Sequence, residues 1–482
     1  MNLKKLIKDL NVIETYGDTD VEISSIKTDS NHVKKGSLYI AFKGENNDGH
    51  SFIRQSEFYG AKAVVCERKT DTVLPQIIVK DARKAVSVIA REFYGHPEKD
   101  MELIAVVGTN GKTTVSHVIK AVFDYAGEPC GLIGTLGTFY AGKKIEPTLT
   151  TPDPVELYEI LSDMREYGIT HCVTEVSAHA IYFGKTDGLK FKTAVFTNLS
   201  RDHLDFFGTM NEYAKVKKSF MLNDACEYAV VNTDDEIGLE ILRGRKNAIG
   251  YGIDNPADVF AVDITEGIYG TDFVINLFDK IFQVRLNLMG RYNVYNALGA
   301  GTACALSGIP LDKIIGGIES VKNVNGRLEC VYAGKYSVFV DYAHTPDGLE
   351  KALLALKPVT EGRLICVFGC GGNRDKGKRP QMGRISGVNA DFTVITSDNP
   401  RYEDPMEIIS EIEKGMLEVR GNYVVVEDRT EGIKYGLGYA RDGDVILIAG
   451  KGGENYQEVL GIKHVYNDKD AVTSIIGGRG RG

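Results

Sequence analysis

One short stretch limits this chain more than any other: AVVGTNGKTT at residues 105–114. An apolar run from Leu103 to Val107 meets Gly108, the chain turns over Gly111, and Lys112, Thr113 and Thr114 open a helical pattern. Strand, glycine turn and helix start, in that order, make an anion cradle. Loop amides and the positive helix end face a phosphate, Lys112 adds a full charge, and a threonine hydroxyl can hold Mg²⁺. The loop is shorter than the general phosphate-loop pattern. That pattern asks for glycine five residues before Gly111, where this chain has Val106.

The chain has 482 residues, 43% of them hydrophobic, enough for three domains with sizeable cores. Its 57 basic and 66 acidic residues leave a net charge of −9. That argues against nonspecific binding of nucleic acid or anionic membrane, and leaves anionic small substrates open. The eight cysteines are scattered, and the close pair Cys366 and Cys370 fits no zinc-ribbon spacing. Reduced, buried thiols in a cytoplasmic protein are expected. The start MNLKKLIKDLNV has no apolar signal core, and no run approaches a membrane span.

Residues 1–97 read as a small α/β domain, with strands at 21–26, 36–42 and 63–66, a helix at 82–94 and a linker at 95–100. Residues 98–330 alternate strands (103–107, 170–176, 192–197) with helices (113–126, 211–221, 290–306), as a mostly parallel central sheet would. From 331 to 482 buried strands recur at 337–341, 363–368, 392–396, 422–426 and 444–449, a doubly wound, Rossmann-like pattern. The tail at 477–482 is expected to be disordered.

Charged loops follow the strands. NLSRDHLD (198–205) places His203 among aspartates, and Glu175 ends an earlier strand; both suit a divalent metal beside phosphate. DYAHTPD (341–347), GCGGNRDKGKR (369–379), SDNPR (397–401) and GKGGE (450–454) each follow a strand of the last domain. An open α/β sheet presents its ligands at those strand ends.

Together with GRYNVYNALGA (290–300) and NGRLE (325–329), these motifs span all three inferred domains, and the chain resembles the Mur ligases. That family makes amide bonds in peptidoglycan precursors at the expense of ATP. DNPR with GKGGE resembles the members that add meso-2,6-diaminopimelate to the D-glutamyl γ-carboxylate of UDP-N-acetylmuramoyl-L-alanyl-D-glutamate.

The resemblance implies a set of roles. Gly108, Thr109, Asn110, Gly111, Lys112, Thr113 and Thr114 would hold ATP, with Asn293, Asn296, Arg327, Asp341 and His344. Thr113, Glu175, His203 and a carbamylated Lys217 would hold Mg²⁺, two ions in all, and Lys112, His203 and Lys217 would serve the chemistry. Lys217 is chosen over Lys215 and Lys218 by spacing alone. The nucleotide-linked dipeptide would meet Ser30, Thr150, Thr151, Ser177 and Lys185. Diaminopimelate would meet Arg374, Asp398, Asn399, Pro400, Arg401, Gly450 and Glu454, its distal carboxylate on Arg401 and its ammonium on Glu454. A cytoplasmic monomer acting on small molecules, without nucleic acid or membrane, is expected.

The chain departs from the family at Asn31 and Lys185, where arginine is usual, at Leu149, where asparagine often precedes the threonine pair, and at Ala178, where serine is common. These changes touch substrate contact rather than the reaction. The alternatives are a lysine-adding member, folylpolyglutamate synthase, or a nucleotide-driven switch. The DNPR and NRDKGKRP loops speak against folylpolyglutamate synthase, and no [NT]KxD base-reading motif supports a switch.

Overall fold

Ser37–Ile40, Ala63–Cys66 and Gln76–Val79 are buried at every residue, as strands covered on both faces must be. They form the middle of a five-stranded sheet ordered Val12–Tyr16, Gln76–Val79, Ala63–Cys66, Ser37–Ile40, Ser25–Lys27. Only the first pair is antiparallel. The helix Ala82–Phe93, capped by Asp81 on the Lys84 amide, lays Ala82, Ala85, Val86 and Ile89 onto one face with Leu3 and Leu6.

The computed structural model describes residues 1–44 and 47–479, the side chains as far as 477. It divides into two compact units, 1–105 with 129–192 and 224–227, and 106–128 with 193–223 and 228–482. The α/β class expected from the sequence, in three sheet-built domains with mostly parallel strands, is what forms. In the first unit, Cys130–Gly134 runs parallel to His171–Glu175 and antiparallel to Gly137–Tyr140. The strand Glu102–Val107 belongs to both units, dividing after Ala105.

In the second unit, Cys226–Asn232, Ala248–Gly252 and Val259–Gly267 are parallel neighbours, and Gly270–Leu277 and Lys280–Leu286 extend them antiparallel. The helix Lys112–Ala126 lies against Leu311–Ser320 so closely that a Cβ on Gly317 would sit 2.5 Å from the Val122 Cα. The last sheet runs Glu329–Ala333, Ser337–Asp341, Val445–Ala449, Leu364–Phe368, Phe392–Ile395, Tyr423–Val425, parallel after its first pair. Alternate residues face opposite cores. Phe339, Cys366, Phe368, Ile395 and Leu447 enter one; Val338, Val340, Ile365, Val367, Val394 and Ile446 enter the other. Because the central strands are parallel, the loops after Asp341, Phe368, Ile395 and Ala449 leave from one edge.

Four expectations need correction. The strand expected at 21–26 is only Ser25–Lys27, because residues 21–23 bond to the chain start: Leu3 N–H to the Val21 carbonyl and Ile23 N–H to that of Met1, both 2.9 Å. The linker at 95–100 is a 3₁₀ turn, Pro97–Asp100, tied down by His96 between Glu92 (2.6 Å) and Glu98 (3.2 Å). Seven of the eight free thiols are buried, but Cys330 is exposed. The helix Asp468–Arg479 runs through the first residues of the expected disordered tail, whose remainder, 480–482, lies outside the described residues. Among the described residues no helix is long and apolar enough to cross a membrane.

Candidate functional site

The phosphate loop is held open by two glycines and a neighbouring loop. Gly108 (φ +152°) leaves no room for a Cβ, which would fall 1.8 Å from Thr197 Oγ1; one on Gly111 (φ +87°) would fall 2.5 Å from Asn296 Oδ1. The Thr109 amide donates to the Asn198 carbonyl (2.9 Å) and the Asn110 amide to Asn198 Oδ1 (3.1 Å). Thr197 Oγ1 donates to the Asn110 carbonyl at 2.6 Å. The helix Lys112–Ala126 then starts at Gly111 without a side-chain cap, and its N-terminal end, where the helix dipole favours an anion, faces the loop. Lys112 Nζ curls back to the Gly108 and Thr109 carbonyls, 2.9 Å each.

Residues far along the chain converge on this loop within the same unit. Arg327 Nη2 donates to Thr113 Oγ1 (2.9 Å), and its guanidinium lies over Tyr342. Asn110 Nδ2 donates to Asp347 (2.8 Å). Asn293 and Asn296 are buried, joined by a 2.9 Å bond, with Asn296 against Gly111. Asp341 accepts from the Leu328 and Ala343 amides, and burial raises its carboxyl above the usual range.

The hub is Asp202, which sequence reasoning did not single out. Its carboxylate, 6% exposed, meets His203 Nε2 at 3.2 Å, His344 Nε2 at 3.5 Å and Lys378 Nζ at 3.9 Å. Burial opposes its charge, yet the bond from His344 and the charges of His344, His203 and Lys378 hold it well below the usual carboxylate range. Beside it, Arg201 grips Asp375 through Nε (2.9 Å) and Nη2 (3.1 Å).

Lys217 differs from its neighbours in sequence. It is 1% exposed, on the helix Met210–Met221, with its amine over the Tyr213 ring and no hydrogen bond or ion pair among the described residues. Burial, then the charge of Lys112, push its amine well below the usual lysine range despite Asp202 and Asp235. Lys215 is exposed, and Lys218 is paired with Glu240.

In the first unit, Glu175 is fully buried. It accepts from the Thr135 amide (3.1 Å) and hydroxyl (2.9 Å), and Gly134 spares it the clash a Cβ would make. Thr151 Oγ1 donates to the Glu175 carbonyl (2.9 Å) and accepts from the Ser177 amide (3.1 Å), while Thr150 meets Thr135 at 3.2 Å. Thr150, Thr151, Glu175 and Ser177 are therefore one cluster. Lys185 is paired with Asp153 instead (2.9 Å), and Ser30, buried on its own turn, bonds Gln55 (3.2 Å).

The loops of the last sheet form a second cluster in the second unit. Lys451, fully buried, donates to Asn399 Oδ1 and Glu454 Oε2, 2.9 Å each, and Asn399 Nδ2 also donates to Glu454 (3.0 Å). Asp398 lies beneath, beside Gly450 and 3.9 Å from Arg429 Nη1; its Oδ2 has no hydrogen-bond partner among the described residues. Pro400 is buried and Arg374 exposed. Arg401 Nη1 donates to the Gly372 carbonyl (2.7 Å) and Nε to Glu458 Oε2 (3.1 Å). Buried arginines fix this edge. Arg379 is shared by Glu403 and Glu411, and Arg429 grips Asp468 at 2.7 Å twice while donating to the Ala449 carbonyl at 3.0 Å. Among the described residues no cluster of three or more His, Cys, Asp or Glu could hold a metal by itself.

The description "Mur ligase family, catalytic domain" matches residues 22–94, "Mur ligase middle domain" 106–304, and "Mur ligase, glutamate ligase domain" 326–452. A Clostridium acetobutylicum protein named UDP-N-acetylmuramoyl-L-alanyl-D-glutamate–2,6-diaminopimelate ligase 1 is 42% identical over 98% of each chain. A solved structure titled with that ligase activity is 30% identical, with a TM-score of 0.70 over 100% of this chain and 99% of its own. A Thermotoga maritima MurF ligase, solved in complex with ADP, shares the fold at 20% identity, with a TM-score of 0.66 over 95% and 98% of the two chains.

Proposed function

The chain belongs to the Mur ligase family, and from that membership we infer its reaction. We propose an ATP-dependent ligase that adds meso-2,6-diaminopimelate to the D-glutamyl γ-carboxylate of UDP-N-acetylmuramoyl-L-alanyl-D-glutamate. The name carried by the full-length relative supports this substrate set. The domain boundaries belong to the same proposal: a UDP-sugar-binding domain to residue 97, a central ATP-binding ligase domain to 330, and an amino-acid-binding domain beyond.

A carboxylate is a poor electrophile and has to be activated. The γ-phosphoryl group leaves ADP as its bond to the bridging oxygen breaks, and a glutamyl oxygen takes it to give an acyl phosphate. The amine of diaminopimelate attacks the acyl carbon, sheds a proton, and phosphate departs with its electron pair. Two anions must meet in the first step, so fixed positive charge and exclusion of water are what the protein has to supply.

Lys112 and the uncapped amides of the helix start suit the triphosphate, with Lys112 exchanging two loop carbonyls for phosphate oxygens. Asn296 backs Gly111, Arg327 brings positive charge to the loop, and His344 reaches Asp202 from the last domain. Thr113, Glu175, His203 and Lys217 would hold magnesium, which when bound screens the two anions. The hydroxyl and carboxylate oxygens suit a hard cation, and phosphate oxygens would complete the shell. Lys217 fits once carbamylated. Burial favours the uncharged form of its amine, which would attack CO₂, lose a proton and become an oxygen donor.

The observation that carries the reading is this convergence on the phosphate loop of Arg327, Asn296, Asp347 and the Asp202 hub. Product mass with UDP-muramyl dipeptide, ATP and a choice of lysine or diaminopimelate tests it. The diaminopimelate tripeptide is expected; equal or better addition of lysine overturns the substrate assignment. Arg401→Ala should raise KM for diaminopimelate by roughly thirtyfold or more, with KM for ATP little changed.

A further inference from the structure

Arg401 occupies an unusual place. Its backbone is left-handed (φ +54°), and the segment is stitched to the hairpin formed by Tyr456–Val459 and Ile462–Val465. The Arg401 amide donates to the Glu458 carbonyl (3.0 Å), and the Leu460 amide to that of Arg401 (2.7 Å). Gln457 Nε2 donates to the Asp398 carbonyl (2.7 Å), and the Glu458 amide to Asn399 Oδ1 (2.9 Å). The hairpin and the 398–401 loop therefore move as one piece.

Within that piece two of the three guanidinium nitrogens of Arg401 are anchored. Nε donates to Glu458 Oε2 and Nη1 to the Gly372 carbonyl, while Nη2 has no partner among the described residues. The guanidinium lies close along the 371–372 backbone, where a Cβ on Gly371 would come within 2.9 Å of Nη1. Arg401 and Glu458 side chains are 16% and 21% exposed, so neither is free to swing into bulk water.

We propose that Glu458 is a positioning residue for amino-acid selection. Its carboxylate on Nε, with the Gly372 carbonyl on Nη1, fixes the guanidinium plane of Arg401 so that Nη2 and the second N–H of Nη1 form a set fork for the distal carboxylate of the incoming amino acid. A guanidinium fork binds a carboxylate well only when its plane is set beforehand, and a flexible arginine loses that advantage. Glu458 follows GKGGE by four residues and belongs to none of the motifs read from the sequence. The inference rests on the reading above in one respect: Arg401 must be the group that takes the distal carboxylate.

Steady-state kinetics on the full-length enzyme test it. Glu458→Ala should raise KM for diaminopimelate roughly tenfold or more, with kcat and the KM values for ATP and the UDP-dipeptide unchanged. Glu458→Gln, which keeps the acceptor without the charge, should stay near wild type. The Ala variant should also narrow the preference for diaminopimelate over lysine. An unchanged or lowered KM in Glu458→Ala overturns the proposal, a lowered one meaning that Glu458 competes for the guanidinium. A rise in all three KM values with a lower Tm overturns it too, as the mark of a merely structural residue. Wild-type enzyme that prefers lysine would sink the substrate assignment by itself, whereas failure of the Glu458 variants leaves that assignment standing.

Discussion

Lys217 and Lys451 are both sealed from solvent, at 1% and 0% exposure, and they are set in opposite ways. Around Lys451 the protein has built acceptors: Asn399 Oδ1 and Glu454 Oε2 at 2.9 Å each, on the loops that follow the strands Phe392–Ile395 and Val445–Ala449. Around Lys217 it has built an aromatic face and, among the described residues, no acceptor, with Lys112's charge close enough to disfavour another. Burial alone therefore does not decide what a lysine does. With acceptors, its ammonium ties two loops together. Without them, burial disfavours the ammonium and favours the neutral amine.

The sharpest way to break this comparison is Lys217→Arg, which keeps a long basic side chain that cannot give up its charge. Ligase activity should fall on the order of a thousandfold, as when a preorganised charge-stabilising group is lost. Lys215→Arg and Lys218→Arg should stay within about twofold. Activity retained in Lys217→Arg would remove the distinction drawn between the two lysines.

Lys451→Met probes the other side. It leaves Glu454 and Asn399 facing an apolar chain, and the global stability measured by denaturant unfolding should drop by about 4 kcal/mol. If the loss is under about 1 kcal/mol, Lys451 is not a tie.

Arg379 extends the comparison to a third buried cation, this one shared by two carboxylates, Glu403 and Glu411. Its bond holds Glu403 at a pKa of about 2, against the ordinary 4.5. A carboxylate depressed in the folded state adds stability that is complete above pH 4.5 and fades as pH falls from there toward 2, about 3 kcal/mol in all. Glu403→Gln should flatten that part of the stability–pH curve; an unchanged slope between pH 4.5 and 2 would place the acid sensitivity elsewhere.

Much of this molecule could be read in advance because the relevant signals are local. A strand that ends in glycine and opens a helix is written in ten consecutive residues, and the phosphate loop formed at Gly108 and Gly111 as expected. The strands of the last sheet came within a residue or two of their expected ends because they are unbroken apolar runs. The ion pairs that hold the loops were not legible. Arg401 and Glu458 are 57 residues apart, Arg429 and Asp468 39, and Arg201 and Asp375 174. No periodicity links such partners; only the fold brings them together. Asp202 was passed over for the same reason, since two of its three partners, His344 and Lys378, come from another sheet. The stretch at 21–24 failed differently: its alternation was real, but its backbone partner was the first turn of the chain.

Arg429 has one more consequence, for the order in which this chain can mature as it is made. Its guanidinium has no exposure, and the carboxylate it grips with two hydrogen bonds comes from Asp468, thirty-nine residues downstream, while Asp398 stands off at 3.9 Å. Until Asp468 has emerged from the ribosome, sealing the sheet around Arg429 would bury a cation without its hydrogen-bonded carboxylate, so this region should stay open and chaperone-accessible while the strands before it are already collapsing.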